Sequence, residues 1–456
     1  MKRPDHFDGI MIAVIAVLML TIGAVVARGD QIGINVQDFG PSGIAASRAP
    51  IRITFDEPIT AESVSSRFTL APPATGRLQV SGNRVIFQPV IPLQPGRDYQ
   101  VVVHAGITAQ SGRTLKVDRS WSLHVRQPRI VFNRAEGDNP PNLYLLDPAA
   151  PDTPQQLTDS PIGVASYDVS PDGNQIVYAE IPQDGAASLF VWNAVTNSSR
   201  VLYSMPDALC SNPVWQPEGS AIAFDLAADT GAINRVSRIW ILDLATNTAH
   251  PLWKDNQQLG SVPRWSVDGT LLAAMSPDPI GLVVHHLSSS QDTFIPTLDQ
   301  QIANLSPDGR WLTVPNQVTS ANGQLATHLD LIDLAATPYG RRRLTPDSSP
   351  ENDEEAAWSL DSKSLIMVRQ PSDTGNGPSG TQLDLVTVPG GTSKPLLTDS
   401  GYQLSGLKLS PAGDMLLLQR YPVGQGSDSA GIWLLNLSMR ELRQIAPDGS
   451  DPNWIP

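Results

Sequence analysis

The chain is almost without cysteine. Cys210 is the single one in 456 residues, so no disulfide can form within the chain and packing alone must hold its folded units. It lies in a stretch that reads as a loop between repeats, with no neighbouring base to activate a thiol. Histidine is scarce too: His6, His104, His124, His250, His285, His286 and His328. None has the spacing of a zinc pair, and the adjacent His285 and His286 face opposite sides of any strand. Charged residues are only 17% of the chain, and acids outnumber bases 45 to 31, a net charge of −14. Such a chain repels phosphates, which excludes a nucleic-acid partner. The one basic run, Arg341-Arg342-Arg343, reads as a solvated loop just ahead of a strand. Gly-x-Ser-x-Gly elbows, phosphate-binding loops and dinucleotide fingerprints are absent. No catalytic residue, cofactor or metal ligand is therefore expected.

What is plentiful is turn chemistry. Proline (40) and glycine (35) are spread along a chain that is 41% hydrophobic, the signature of many short strands. The expected fold class is all-β: an Ig-like β-sandwich followed by a seven-bladed β-propeller, preceded by one N-terminal transmembrane helix.

The N-terminus sets the expected compartment. Residues 9–27 carry no charge, and as a helix they reach roughly 28 Å, about the hydrocarbon thickness of a bilayer. Lys2 and Arg3 precede the run, so residues 1–8 read as a cytoplasmic stub and the rest as exported. Val25 and Ala27 leave a cleaved signal peptide as the alternative. Residues 28–47 are polar and read as a linker.

Residues 48–127 then carry short alternating strands. Ile51 to Phe55 alternates apolar and polar, and so does Tyr99 to Val103; Ser81-Gly82-Asn83 and Leu93-Gln94-Pro95-Gly96 are turns. The order Ile-Arg-Ile-Thr-Phe-Asp-Glu-Pro-Ile, Val-Ile-Phe-Gln-Pro, Leu-Gln-Pro-Gly-Arg-Asp-Tyr and Ser-Gly-Arg-Thr-Leu resembles the bacterial Ig-like domains of surface-layer and other cell-surface proteins. That resemblance implies a spacer or adhesive module.

Residues 128–456 repeat with a period of about 40 to 50 residues, the length of a propeller blade. An aromatic or Leu is followed by a Ser-Pro-Asp-Gly-like turn and an apolar strand. The turn residues are Asp172, Gly173, Gly219, Asp268, Gly269, Asp308, Gly309, Asp361 and Gly413; the aromatics are Tyr167, Trp215, Trp265, Trp358 and Trp454. Ser caps such a turn, Pro presets φ, and Gly takes the left-handed position. Ser362 stands where the fifth copy should have Gly, at some cost. The turn Asp residues offer too few oxygens for calcium, and the aromatics read as packing between blades. A second signature, an alternating strand ending near Asp or Asn, occurs seven times, from Leu143–Asp147 to Ile432–Asn436. Seven such strands but six turns imply that the C-terminal Asp-Pro-Asn-Trp-Ile-Pro, so like Asn212-Pro-Val-Trp and Val262-Pro-Arg-Trp, closes the ring as its missing strand.

These repeats resemble the WD40-like PD40 repeats of TolB-type propellers. That family includes a periplasmic component that docks an envelope lipoprotein and propeller domains that gate serine peptidases. Polar residues just ahead of the repeat aromatic or Leu, namely Arg264, Asn304 and Asn453, are candidates for a binding channel; the alternative is polar contact between blades. The expected role is that of a membrane-tethered, extracytoplasmic bacterial binding or scaffold protein for an envelope protein or polysaccharide. The alternative is a propeller-based hydrolase or lyase acting on envelope glycans, which needs paired carboxylates in the channel.

Overall fold

A computed structural model describes residues 6–29, 33–182, 186–228, 236–255, 257–298, 304–319, 323, 325–336, 338–371, 380–426 and 429–456, with the side chains of the first helix described over 10–23. Residues 1–5 of the expected cytoplasmic stub lie outside the described residues. A 24-residue helix, His6–Gly29, covers the apolar run. Its described apolar side chains are exposed, Leu20 by 74%. Among the described residues no helix is long and apolar enough to cross a membrane, so the span read over 9–27 finds no support here.

The next unit is a sandwich of two four-stranded sheets. One has the order Val36–Gly40, Ile51–Phe55, Arg84–Pro89, Gly76–Ser81; the other runs Gly43–Ala45, Arg119–Val125, Asp98–Val103, Phe68–Ala71. Inward residues alternate along each strand, as in Ile51, Ile53 and Phe55, all at most 1% exposed. The linker read over 28–47 is corrected. Val36–Gly40 pairs antiparallel with Ile51–Phe55, and Gly43–Ala45 pairs in parallel with Leu123–Val125. These short strands are fixed by packing more than by propensity: the Phe39 ring lies 4.6 Å from Trp121, whose indole N–H donates to the Pro41 carbonyl at 2.9 Å.

Seven further four-stranded sheets follow, numbered here I to VII. Sheet II is Val164–Val169, Gln175–Glu180, Leu189–Asn193, Ser198–Tyr203. Sheets III to VII repeat this antiparallel order, starting at Ala208–Trp215, Ser261–Trp265, Asn304–Leu305, Asn352–Trp358 and Tyr402–Leu409. Sheet I is composite: Ser450–Ile455 from the C-terminus pairs antiparallel with Arg129–Arg134, which pairs with Asn142–Asp147 and then Ala150–Gln156. The first strand of each sheet lies beside the first strand of the next, and that of sheet I lies beside both sheet VII and sheet II. The array is propeller-like in this sense.

There is no single core. Apolar clusters sit between successive sheets, such as Val191, Trp215 and Phe224 between II and III, and Leu331, Trp358 and Leu365 between V and VI. Ile130, Leu417, Leu434 and Trp454 bridge sheet VII to sheet I. Each sheet buries its faces against its two neighbours, so stability is distributed through local interfaces.

Candidate functional site

The turns that carry the repeat have one internal logic. In sheets II, IV, V and VI the serine hydroxyl donates to the turn aspartate, Ser170 to Asp172 at 2.6 Å and Ser359 to Asp361 at 2.7 Å, while accepting a returning N–H, Gln175 and Ser364, at 2.9 and 3.0 Å. Each Asp also accepts the N–H two residues on, as Asp172 does from Asn174 at 3.1 Å. In sheet VII, where Ala412 replaces the aspartate, Asp414 takes over the Ser410 hydroxyl at 2.8 Å. These carboxylates are turn fasteners. The last residue is left-handed in every copy, with φ 61° at Gly173, 72° at Gly219, 69° at Gly269, 73° at Gly309 and 77° at Gly413. Ser362 takes the same conformation at φ 60°, and its hydroxyl accepts the Asp308 N–H of the neighbouring turn at 3.1 Å.

The first strands carry a second device that motif reading did not expose. In sheets I, III, IV and VII this strand bulges, and one residue is left-handed: Asp451 (φ 48°), Asn212 (φ 48°), Val262 (φ 52°) and Gly406 (φ 65°). The bulge turns that residue's N–H out of the ladder. A side chain of the preceding sheet accepts it each time: Gln419 for Asp451 at 3.2 Å, Ser166 for Asn212 at 3.1 Å, Asp225 for Val262 at 2.8 Å, and Glu355 for Gly406 at 2.8 Å. A β-branched residue at positive φ is strained, so Val262 marks where this link overrides local preference.

Next along the first strand comes the repeat position two residues ahead of the turn serine or its equivalent. Its seven occupants are Asp168, Val214, Arg264, Asn304, Ala357, Lys408 and Asn453, on the first strands of the seven sheets; Lys408 is exposed and the other six are part-buried. Asp168 of sheet II lies within electrostatic reach of Arg264 of sheet IV and of Lys408 of sheet VII. The carboxylates here are already engaged. Asp168 accepts the Trp215 N–H at 2.8 Å, Asp225 accepts Val262 N–H and Asn212 Nδ2 at 2.8 Å each, and Glu355 accepts the N–H groups of Gly406 and Leu407 at 2.8 and 3.0 Å. Burial pushes Asp168 up to about 6 and Asp225 up to about 7, against the pull of those donors. Burial likewise raises Glu354 and Glu355.

The sequence candidates separate at this level. Arg264 is within electrostatic reach of Asp168 and Asp225, and among the described residues its side chain donates only to the Pro263 carbonyl, at 3.1 Å. Asn304 instead ties sheet V to sheet VI, donating to the Ala356 carbonyl at 2.9 Å, and Asn453 accepts the Trp454 N–H at 2.9 Å. Trp358 and Trp454 pack between sheets and donate to the Asn304 and Lys408 carbonyls of the sheet before, both at 3.0 Å. Trp215 and Trp265 fill the same interfaces without an indole partner, and the Tyr167 hydroxyl meets the Val131 carbonyl of sheet I at 3.0 Å. Cys210 is in the first strand of sheet III, fully buried, with burial pushing its thiol up to about 12; the loop reading is corrected. The arginine run is corrected too: Gly340–Arg343 is the outer strand of sheet V, and Arg341 and Arg343 grip the buried Asp330 at 2.6 and 2.8 Å.

The sandwich rests on the turns of sheets II to IV rather than standing off as a spacer. Arg126 donates to the Pro456 and Asp172 carbonyls at 2.9 and 3.0 Å, Arg52 to the Glu218 carbonyl at 2.5 Å, and Arg77 pairs with Asp268 at 2.8 Å. Burial lowers the Arg48 guanidinium, against the pull of Asp168 of sheet II. A crevice of about 260 Å³ between the units includes Phe39, Arg52, Arg126 and Asp172 in its walls, but both arginines there are engaged by carbonyls.

A family model described as a bacterial Ig-like domain matches residues 30–124. No curated protein matches the chain. Among solved structures the chain is similar to puromycin hydrolase, at 13% identity and a TM-score of 0.54, covering 78% of this chain and 53% of that one. It is similar to a prolyl endopeptidase at 13% identity and 0.53, covering 69% and 48%. TolB from Acinetobacter baumannii aligns at 13% identity and 0.44, covering 86% and 83%. The chain spans about half the length of the puromycin hydrolase and prolyl endopeptidase structures, and identities this low speak to fold alone. The molecule is thus a bacterial Ig-like domain followed by a propeller-like array of four-stranded sheets.

Proposed function

We propose that this chain is a membrane-tethered, extracytoplasmic binding or scaffold protein of a bacterial envelope. Its seven sheets form a seven-bladed ring, closed by the C-terminal strand, that presents a protein or polysaccharide partner with a rigid face. The carrying observation is the engagement of the inner carboxylates: Asp168, Asp225 and Glu355 each hold a backbone N–H of a neighbouring strand. A glycan hydrolase of the common kind needs two carboxyl groups facing one bond. At the inner ring these three carboxylates serve as links between sheets, which favours binding over glycan hydrolysis. The tether rests on the uncharged run over 9–27 and the Lys2 and Arg3 ahead of it.

The test is formaldehyde cross-linking of intact cells expressing the full-length chain, with fractionation of the same cells. The expected result is a chain in the membrane fraction, degraded by protease added outside the cytoplasmic membrane, and cross-linked to a defined envelope protein or glycan. A chain in the cytoplasmic fraction, or turnover of cell-wall glycans by the pure protein, contradicts the proposal.

A further inference from the structure

The sandwich carries a line of three groups that its contacts with the ring leave aside. Thr69 lies in Phe68–Ala71, between Phe68 and Leu70, which pack on the core, so its hydroxyl is on the outer face. His104 directly follows Asp98–Val103, and Asp118 directly precedes Arg119–Val125. Val103 pairs with both Phe68 and Arg119, which brings the three side chains to one end of the sheet. Thr69 Oγ1 is 3.1 Å from His104 Nε2, and His104 Nδ1 is 3.0 Å from Asp118 Oδ2. The other oxygen of Asp118 accepts the Ala105 N–H at 2.7 Å. That N–H and then His104 hold Asp118 below the usual carboxylate range, so it stays ionised and only accepts. Neutral His104 therefore carries its proton on Nδ1, and its Nε2 lone pair accepts the Thr69 hydroxyl. The His104 N–H donates to the Arg67 carbonyl; the alternation of an antiparallel pair then turns the Leu70 N–H, next to Thr69, away from the partner strand and off the outer edge of the sheet. The far end of the same strand pair lacks the third group. There His124 Nδ1 meets Asp98 Oδ1 at 2.8 Å, and among the described residues no hydroxyl meets its Nε2.

A hydroxyl directed at a base that a carboxylate orients is the arrangement that activates a nucleophile. We propose that Thr69 is a nucleophile for acyl transfer from activated esters, with His104 as its base and Asp118 as the residue that positions His104. Thr69 Oγ1 bonds to the acyl carbon while its proton passes to His104 Nε2. The bond from that carbon to the leaving alcohol then breaks, and His104 returns the proton to the departing oxygen. The products are an ester at Thr69 and one free alcohol. The Leu70 N–H is the backbone donor beside the oxyanion formed in between. Because the line lies on an open face, the reactivity of the donor rather than its shape decides what is accepted.

The experiment incubates the full-length chain in detergent with p-nitrophenyl acetate, follows nitrophenolate release and locates acetyl groups by peptide mass spectrometry. Acetylation of Thr69 is expected ahead of every other hydroxyl, including Ser120 and Ser122 of the same strand pair. His104→Gln should slow it by about a hundredfold, Thr69→Ser should keep it, and His124→Gln should leave it unchanged. In Asp118→Asn the amide oxygen keeps the Ala105 N–H, so the NH2 group faces His104 Nδ1 and the imidazole proton moves to Nε2. The nitrogen chemical shifts of His104 should report that change, and acetylation should slow with it. Acetyl groups confined to amines, or Thr69 acetylated at the same rate in His104→Gln, overturn the proposal. If the ester turns over before it is seen, Thr69→Ala decides: a fall in nitrophenolate release upholds the nucleophile, and unchanged release overturns it. Locating the acetyl group needs no substitution, so the test holds even where a variant fails to fold.

Discussion

Sheet III and sheet VI both bury an aspartate, and they compensate it in opposite ways. Asp225 of sheet III, 4% exposed, is held by amides, the Val262 N–H and Asn212 Nδ2. Asp353 of sheet VI, fully buried, is held by the Arg369 guanidinium at 2.9 Å and the Thr345 hydroxyl at 2.6 Å, and Arg369 also grips Asp384 at 2.9 Å. Sheet V repeats the second solution with Asp330 between Arg341 and Arg343. Neutral donors leave the burial penalty largely standing, so Asp225 rises to about 7 and a proton becomes part of its compensation. A guanidinium supplies the opposite charge outright. Asp225 of sheet III is therefore sensitive to pH, whereas Asp330 of sheet V and Asp353 of sheet VI are each held by arginine.

The largest effect should come from breaking that hold. Arg369→Ala leaves Asp353 and Asp384 buried without their cation and should destabilise the protein by about 3 to 5 kcal/mol in thermal or denaturant unfolding. A loss below about 1 kcal/mol would show that the two sides are not different in kind.

The second effect concerns pH. Because Asp225 and Asp168 are raised in the folded state, that state holds protons which the unfolded chain has released between about pH 4 and the folded values of about 7 and about 6. Their contribution is complete below pH 4 and is lost as pH rises through those values. Asp225→Asn should flatten the fall in stability between pH 5 and 8 by on the order of 1 to 3 kcal/mol, read as melting temperature against pH. Arg369→Ala should steepen that fall instead, because Asp353 and Asp384, left buried without their cation, would hold protons in the folded state as Asp225 does.

A third, smaller effect sharpens the comparison within sheet V. Arg341→Gln leaves Asp330 with Arg343 and Asn316, so the cost should be about 1 kcal/mol, well short of that at Arg369. The smallest is Ser362→Gly. Glycine relieves the left-handed strain but removes the acceptor of the Asp308 N–H, and two effects of about 0.5 to 1 kcal/mol should nearly cancel in unfolding. A clear gain in stability would mean that the turn-to-turn bond contributes little.

The contrast also marks how far the sequence could be read. Period-two strands, Ser-Pro-Asp-Gly turns and the C-terminal Asp-Pro-Asn-Trp each carry their cause within a few residues, so the sandwich, the repeats and the pairing of Ser450–Ile455 with Arg129–Arg134 were legible. Long-range causes were not. Val36–Gly40 becomes a strand through Trp121, some 80 residues away, and the arginine run becomes one through Asp330. The left-handed Val262 needs Asp225 of the sheet before, which no local preference announces. The site was half legible: the repeat position picked out Arg264, Asn304 and Asn453, and the same position also holds Asp168 and Lys408.

The most direct measurement places a photo-cross-linking residue at position 408, on the inner ring, and in a second strain at position 439, where Met439 is 67% exposed on an outer turn. Both are carried on the full-length chain and illuminated in intact cells. The binding account predicts a defined envelope adduct from 408 and none from 439. An adduct from 439 alone, or from neither position, contradicts it.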